Sequence, residues 1–362
     1  MTELLIQENQ EKKQIALVEN GKLIEYYEED NETNRREGNI YIGIVKDIIK
    51  GMQAAFVDIG TEKNSFIHLK DILPKIDETK ETQDENIKIS DIIKPNQKLL
   101  VQIKKDSNEK KGARVSTHIN LPSKYIVLMP NTEIITVSQK IESEEEQKRL
   151  VKLVKENLEQ GNGAIIRTSA QGKEKEIIED IKNIQNKWNK IIETGINPNQ
   201  NNPKLLYKSE DIIDKMLMDM TDKEISIKRG KDIFNTYGIN KQIEKIQNRK
   251  IWLKCGGFIT IDKTEALTAI DINSGKFTGK KNSSKENTIY KVNQEATVEI
   301  AKQLRLRNIS GIIVIDYIDM EEEQDRKNIM NLLEKELKKD RSKTQIMGFT
   351  KLDLLEMTRK KL

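Results

Sequence analysis

The sequence predicts an α+β chain of several domains, and three observations carry that expectation. Short strands punctuated by Gly38, Gly43, Gly51 and Gly60 open a segment, about 38–118, that suits a small all-β barrel. Strands alternate with helical patterns from 256 onward, pointing to an α/β or α+β layer. Between them, NPNQNNP at 197–203 is the clearest linker and places a boundary near 203. The 362 residues suffice for two or three domains.

Along the chain, two apolar runs within 3–27 flank Asn20-Gly21, a strong hairpin signal. An acidic stretch at 28–32 leads into the barrel segment, a polar insertion at 77–90 reads as a surface loop, and KLLVQIKK at 98–105 reads as the closing strand. YIVLMPNTEIITVSQKI at 125–141 predicts two strands around a Pro130-Asn131 turn. Ser143 with Glu146 is a capping-box pattern, followed by Leu150, Val151, Val154 and Leu158 at helical spacing. A second amphipathic helix is expected over 173–193, and 205–255 carries no chemistry legible from pattern. Beyond 256, two strands surround a turn, helices are expected at 288–307 and 321–339, and GIIVIDYID reads as a strand covered on both faces.

Composition narrows the function classes. Apolar residues make up 36% and charged residues 34%, a highly charged chain that still carries core-forming runs. No stretch approaches a membrane span, and the first ten residues lack a signal peptide's layout, so a cytoplasmic protein is expected. Cys255 is the single cysteine, which excludes an internal disulfide or a Cys-rich zinc site within the chain. With only His68 and His118, catalysis would fall to carboxylates and basic residues. Net charge is only +4, so local distribution matters more than the total.

Period-2 alternation in TAIDIN puts Asp271 and Asn273 on one strand face, and Asp316 ends an apolar strand. Two strand-end carboxylates in adjacent α/β segments can share a hard cation such as magnesium, with water and phosphate completing its shell. Singly, each is equally a turn or cap residue. Asp319, with Glu322 three residues on, reads as the cap of the 321–339 helix. Lys276, Lys280, Lys281 and Lys285 follow Asp271; Lys302, Arg305 and Arg307 end the next helix; and 341–362 holds six basic residues against two acidic ones. This distribution suits a polyanionic substrate and equally a solvated helix face. In the barrel, Phe56 alternates opposite the apolar set Ala55, Val57 and Ile59, which favours a surface ring for stacking unpaired bases, with Phe66 and the stretch Lys104, Lys105, Lys110, Lys111 and Arg114 nearby.

The motifs GNIYIGIVKDIIKGMQAAFVDIGTEKNSFIHL, YIVLMPN, IIRT, EALTAIDINSGKFTGK, IAKQLRLRNISGIIVIDYIDM and LLEMTRKKL closely resemble bacterial endoribonucleases of the ribonuclease E/G family, over nearly the whole chain. The resemblance implies an S1-type RNA-binding barrel at 38–118, inserted in an RNase H-like domain made from 1–37 and 204–255. It further implies a 5′-phosphate sensor at 119–203 and a DNase I-like catalytic domain at 256–362. Carried over by position, Asp271 and Asp316 become magnesium ligands and Asn273 orients the scissile phosphate or its water. Phe56, Phe66 and Lys111 become RNA contacts, Arg167 and Thr168 grip a terminal phosphate, and Val127 contacts the terminal nucleotide through its backbone.

The match departs at three places. Gln139 stands where the family has a second sensor arginine, and Lys343 keeps the charge of a further basic position without its fork. The family also continues past LLEMTRKKL into a Cys-x-x-Cys link sharing zinc between protomers, whereas the sequence stops at Leu362; zinc is expected only if the chain continues. The implied activity is Mg-dependent cleavage of single-stranded, AU-rich RNA to 5′-phosphate and 3′-hydroxyl ends, by a homo-oligomer, a dimer or tetramer. A non-catalytic RNA-binding protein is the alternative from another class.

Overall fold

The computed structural model describes residues 1–30, 35–72, 87–107, 111–195, 202–220, 224–275 and 285–360. Lys110, Lys276, Lys280, Lys281, most of the acidic insertion at 77–90 and much of the 197–203 linker lie outside the described residues, as does the side chain of Lys285. The chain is α+β and divides into two compact units, Asn34–Asp222 and the discontinuous pair Met1–Thr33 with Lys223–Leu362. No helix among the described residues is long and apolar enough to cross a membrane.

In the Asn34–Asp222 unit, the strand Ile40–Ile49 is bent by an irregularity between Val45 and Ile48. The bend lets it pair with Ala54–Asp58 on one side and with Lys98–Lys105 on the other. Ser65–His68 and Arg114–Ser116 complete the circuit, giving a closed five-stranded barrel. Val45, Val57, Ile67, Val101, Ile103 and Val115 fill its interior. The closing segment passes so near its neighbour that a Cβ on Gly112 would lie 2.0 Å from the Asn64 carbonyl oxygen. The strand Lys204–Tyr207 also pairs with Ile40–Ile49, so the chain just past the linker stays with this unit.

The same unit holds a second sheet, ordered Ile135–Val137, Asn162–Ile166, Ile126–Pro130, Leu121–Pro122. Helices Glu144–Asn157 and Lys175–Gly195 pack on it through Leu150, Val154, Ile177, Ile181 and Trp188. Ser143 caps the first helix by accepting from the Glu146 N–H at 3.3 Å. The Glu146 carboxylate instead meets Arg149 at 2.7 Å and the Gly172 N–H at 2.8 Å, a stronger pair of donors than the cap's own amide.

The other unit begins as a meander, Thr2–Glu8, Lys12–Glu19 and Lys22–Asp30. Asn20 at φ 50° and Gly21 at φ 73° give the hairpin the two left-handed residues that its tight turn needs. Ile225–Arg229 joins the sheet parallel to Thr2–Glu8.

The second sheet of this unit has six strands, ordered Lys250–Trp252, Phe258–Lys263, Leu267–Asn273, Gly311–Asp316, Leu354–Arg359, Thr344–Phe349. Only Leu267–Asn273 and Gly311–Asp316 run parallel, because the helix Lys285–Leu306 carries the chain back between them. That helix and Glu323–Leu337 cover one face through Ile259, Ile270, Ile300, Leu304, Ile313, Ile315 and Leu333. The opposite face is open: Ile312 and Asp316 are exposed. The apolar run GIIVIDYID is therefore covered on one face, not two; its outward Ile312 serves the strand backbone rather than a core. Asp319 is not the expected cap either, since the second helix starts after Glu322.

Candidate active site

Asp271 and Asp316 are direct partners in the parallel pair, so both carboxylates leave the open face side by side, at the carboxyl ends of their strands. Asn273, two residues on, points the same way, and its Nδ2 donates to Asp271 Oδ2 at 2.6 Å. Shielding of its carboxyl from water, followed by the negative charges of Asp271 and Asp319, raises the Asp316 pKa above the ordinary aspartate range. Two adjacent hard oxygen ligands of like charge are a donor set suited to a divalent cation that keeps several waters. No cluster of three or more metal-ligating side chains occurs among the described residues.

The segment leaving Asp316 is held from the helix face. Asn293, fully buried, donates to the Ile318 carbonyl at 2.8 Å and accepts from the Ile318 N–H at 3.2 Å. Thr297 lies one turn on, 3.0 Å from the Tyr317 hydroxyl. These two polar residues on an otherwise apolar helix face were missed by sequence reasoning; a polar pair spaced i, i+4 among core positions was the available signal.

Among the described residues, most of the basic side chains from the end of the helix Lys285–Leu306 onward are committed to structure. Arg305 donates to the Glu336 carbonyl and Arg307 to the Asn248 carbonyl. Lys302 pairs with Glu299. Arg359 is buried against Asp340, and Arg341 pairs with Glu25. Lys343 stands exposed before the strand Thr344–Phe349.

On the barrel, Phe56 and Phe66 are register partners, each half-buried, with ring centroids 6.2 Å apart in edge contact. The outward placement expected for Phe56 holds, and its ring shares that surface with Phe66. Lys111 is exposed beside the segment that reaches Phe66. Arg114, by contrast, forks onto Asp71 at 2.9–3.0 Å.

Arg167 and Thr168 come directly after the strand Asn162–Ile166. The Arg167 guanidinium donates to the Ser123 carbonyl at 2.8 Å and is ion-paired with Asp219, a partner that no local pattern announced. Thr168 Oγ1 lies 3.2 Å from Ser138 Oγ, which brings the exposed Gln139 to the same corner. Val127 is half-buried between Pro122 and Ile165.

An open sheet face carrying paired carboxylates and an amide is a candidate site for metal-assisted chemistry. Sequence comparison identifies the class more closely. The profile of the Ribonuclease E/G family matches residues 120–227 and 224–362. The chain is 38% identical to ribonuclease G of Salmonella typhimurium and of Escherichia coli, over 99% of this chain and 80% of each of those proteins. It is 35% identical to ribonuclease E of Nostoc over 96% of this chain and 56% of that protein. The chain belongs to the ribonuclease E/G family and is an endoribonuclease.

Proposed function

We propose that this chain is a magnesium-dependent endoribonuclease that cuts single-stranded, AU-rich RNA during RNA processing and messenger decay, leaving 5′-phosphate and 3′-hydroxyl ends. The observation that carries the proposal is the direct register of Asp271 with Asp316, with Asn273 bonded to Asp271. Those two aspartates hold the ion, which supplies charge neutralisation and an activated water. The Asn273 amide fixes the rotamer of Asp271 and meets a phosphate oxygen or its water. Partial shielding from water and the neighbouring carboxylates of Asp271 and Asp319 favour a cation at Asp316, because each penalises its bare negative charge.

The barrel acts as the S1-type module, with Phe56 and Phe66 stacking unpaired bases and Lys111 meeting the backbone. Residues 119–203 act as the 5′-end sensor and 256–362 as the DNase I-like catalytic domain; 1–37 with 204–255 form the RNase H-like part. In the sensor, a guanidinium fork at Arg167 and the hydroxyl of Thr168 suit a phosphate monoester, and a bound phosphate replaces Asp219 as the partner of Arg167. Val127 supplies backbone contacts to the terminal nucleotide, and Lys343 adds charge. The protein works in the cytoplasm as a homo-oligomer, with zinc only where the chain carries the Cys-x-x-Cys link.

The test is cleavage of a 5′-monophosphorylated AU-rich oligonucleotide with and without magnesium. Asp271→Asn is expected to lower the cleavage rate by about a hundredfold or more while RNA binding persists, in line with losing a metal-held transition-state charge. Unchanged cleavage by that variant would remove the assignment. Equal wild-type rates on 5′-hydroxyl and 5′-monophosphate RNA would remove the sensor role of Arg167 and Thr168.

A further inference from the structure

On the same open face as Asp271 lies an aromatic pair, Phe258 on the neighbouring strand and Trp252 on the next. Register places Trp252 opposite Phe258, and Phe258 opposite Asn273, so the three side chains stand in one row across the sheet. Trp252 is 59% exposed, the most exposed aromatic side chain among the described residues. It is held edge-on by Phe258, with ring centroids 5.3 Å apart. Lys250, two residues earlier on the same face, sets its ammonium 4.2 Å from the Trp252 ring centroid and 3.5 Å from that of Phe258. The ammonium forms no ion pair among the described residues; the nearby Asp262 is bound by Arg249.

The backbone fixes this row as firmly as the rings do. Gly275, at φ 59°, turns the chain just after Asn273, and a Cβ there would lie 2.5 Å from the Gly256 carbonyl oxygen and 3.4 Å from the Phe258 ring. Gly275 is thus seated against Phe258. At roughly 4.8 Å per strand, Trp252 stands about 10 Å from the Asn273 strand, within one or two nucleotide steps of a phosphate held there.

We propose that Trp252, seated on Phe258 and steered by Lys250, is a stacking platform for one unpaired base of the RNA beside the cleaved bond. A flat indole gains stacking area from any base without reading its edge, and a cation held beside it suits the accompanying phosphate. The position along the RNA rests on the assignment of Asp271 and Asp316 as the cleavage site; the stacking itself does not.

The test measures binding in EDTA, where no cleavage intervenes, with a short single-stranded RNA and a set of copies each carrying one abasic nucleotide. RNA is expected to quench the fluorescence of Trp252 above a background from buried Trp188. Trp252→Ala is expected to weaken binding of the intact RNA about tenfold, the scale of one lost stacked base, and Trp252→Phe to restore most of it. At one position, the abasic penalty seen with the wild type is expected to vanish in Trp252→Ala. Mapping the cut in magnesium should place that position within about two nucleotides of the scissile bond, consistent with the strand spacing.

Absence of any such position, equal loss in the Phe and Ala variants, or a coupled position remote from the cut would each overturn the proposal. If coupling is present while Asp271→Asn still cleaves, the platform stands and the cleavage-site assignment falls.

Discussion

Arg359 illustrates how a single charge can have a meaning opposite to its sequence context. It sits in the basic run at the end of the chain, yet it and Asp340 are each about 1% exposed. Its guanidinium donates to Asp340 at 2.8 and 3.2 Å, to Asn308 at 3.0 Å and to the Ile309 carbonyl at 2.8 Å. All three guanidinium nitrogens are engaged, so the pair knits the strand Leu354–Arg359 to the loop before Gly311. Arg359→Leu removes the counter-charge of buried Asp340, which keeps the Ser342 N–H as a donor, and is expected to destabilise its unit by about 3–5 kcal/mol. Denaturant unfolding checks this, and Asp340→Asn in the same background should recover part of the loss. The sequence showed the charge but could not show its direction, because both Asp340 and Asn308 are distant in sequence. Asp271, Asn273 and Asp316 were legible for the opposite reason: strand alternation sets their face locally, and adjacency needed only one βαβ step.

At the scale of elements, the helix Glu144–Asn157 separates what capping patterns foretell from what they leave open. Its start at Ser143 was legible, but the reciprocal half of the box is replaced by Arg149 and the Gly172 N–H. These donors pull the Glu146 pKa from 4.5 to about 2. A carboxylate depressed on folding contributes stability above its unfolded pKa, and that contribution drains away as pH falls from about 4.5 toward 2. Glu146→Gln should therefore lower the melting temperature near neutral pH and flatten its dependence between those limits, as a thermal series in acid would show. An identical acid slope in wild type and variant would contradict the assignment. The Asn20-Gly21 hairpin, by comparison, was fully legible, since both residues of its turn carry the required φ. The outer face of Gly311–Asp316 was not, because apolar content reports strand preference as well as burial.

For the molecule as a whole, the barrel and its neighbouring sheet interrupt a unit whose first three strands are made before it and whose remainder is made after it. Within that unit, Asp30 and Ile225 lie at opposite ends of a four-stranded sheet, three strand spacings apart. Strand geometry makes the gap roughly 27 Å. Joining Thr33 to Lys223 by a Gly/Ser linker of about 20 residues should span it, and the joined protein is expected to unfold in one cooperative transition. Loss of that transition would mean the unit depends on residues 34–222. Composition underestimated this arrangement, because an excursion out of a sheet and back leaves no mark beyond the local strands it separates.

The same interruption sets a clock. The strand Thr2–Glu8 leaves the ribosome well before its parallel neighbour Ile225–Arg229, which is synthesised roughly tens of seconds later at ordinary translation speed. The strand bearing Asp316 waits again, because its second neighbour is Leu354–Arg359, which is made later and inserted between two earlier strands. A nascent chain therefore holds Asp271 and Asp316 on an unfinished sheet until Leu354–Arg359 has been made.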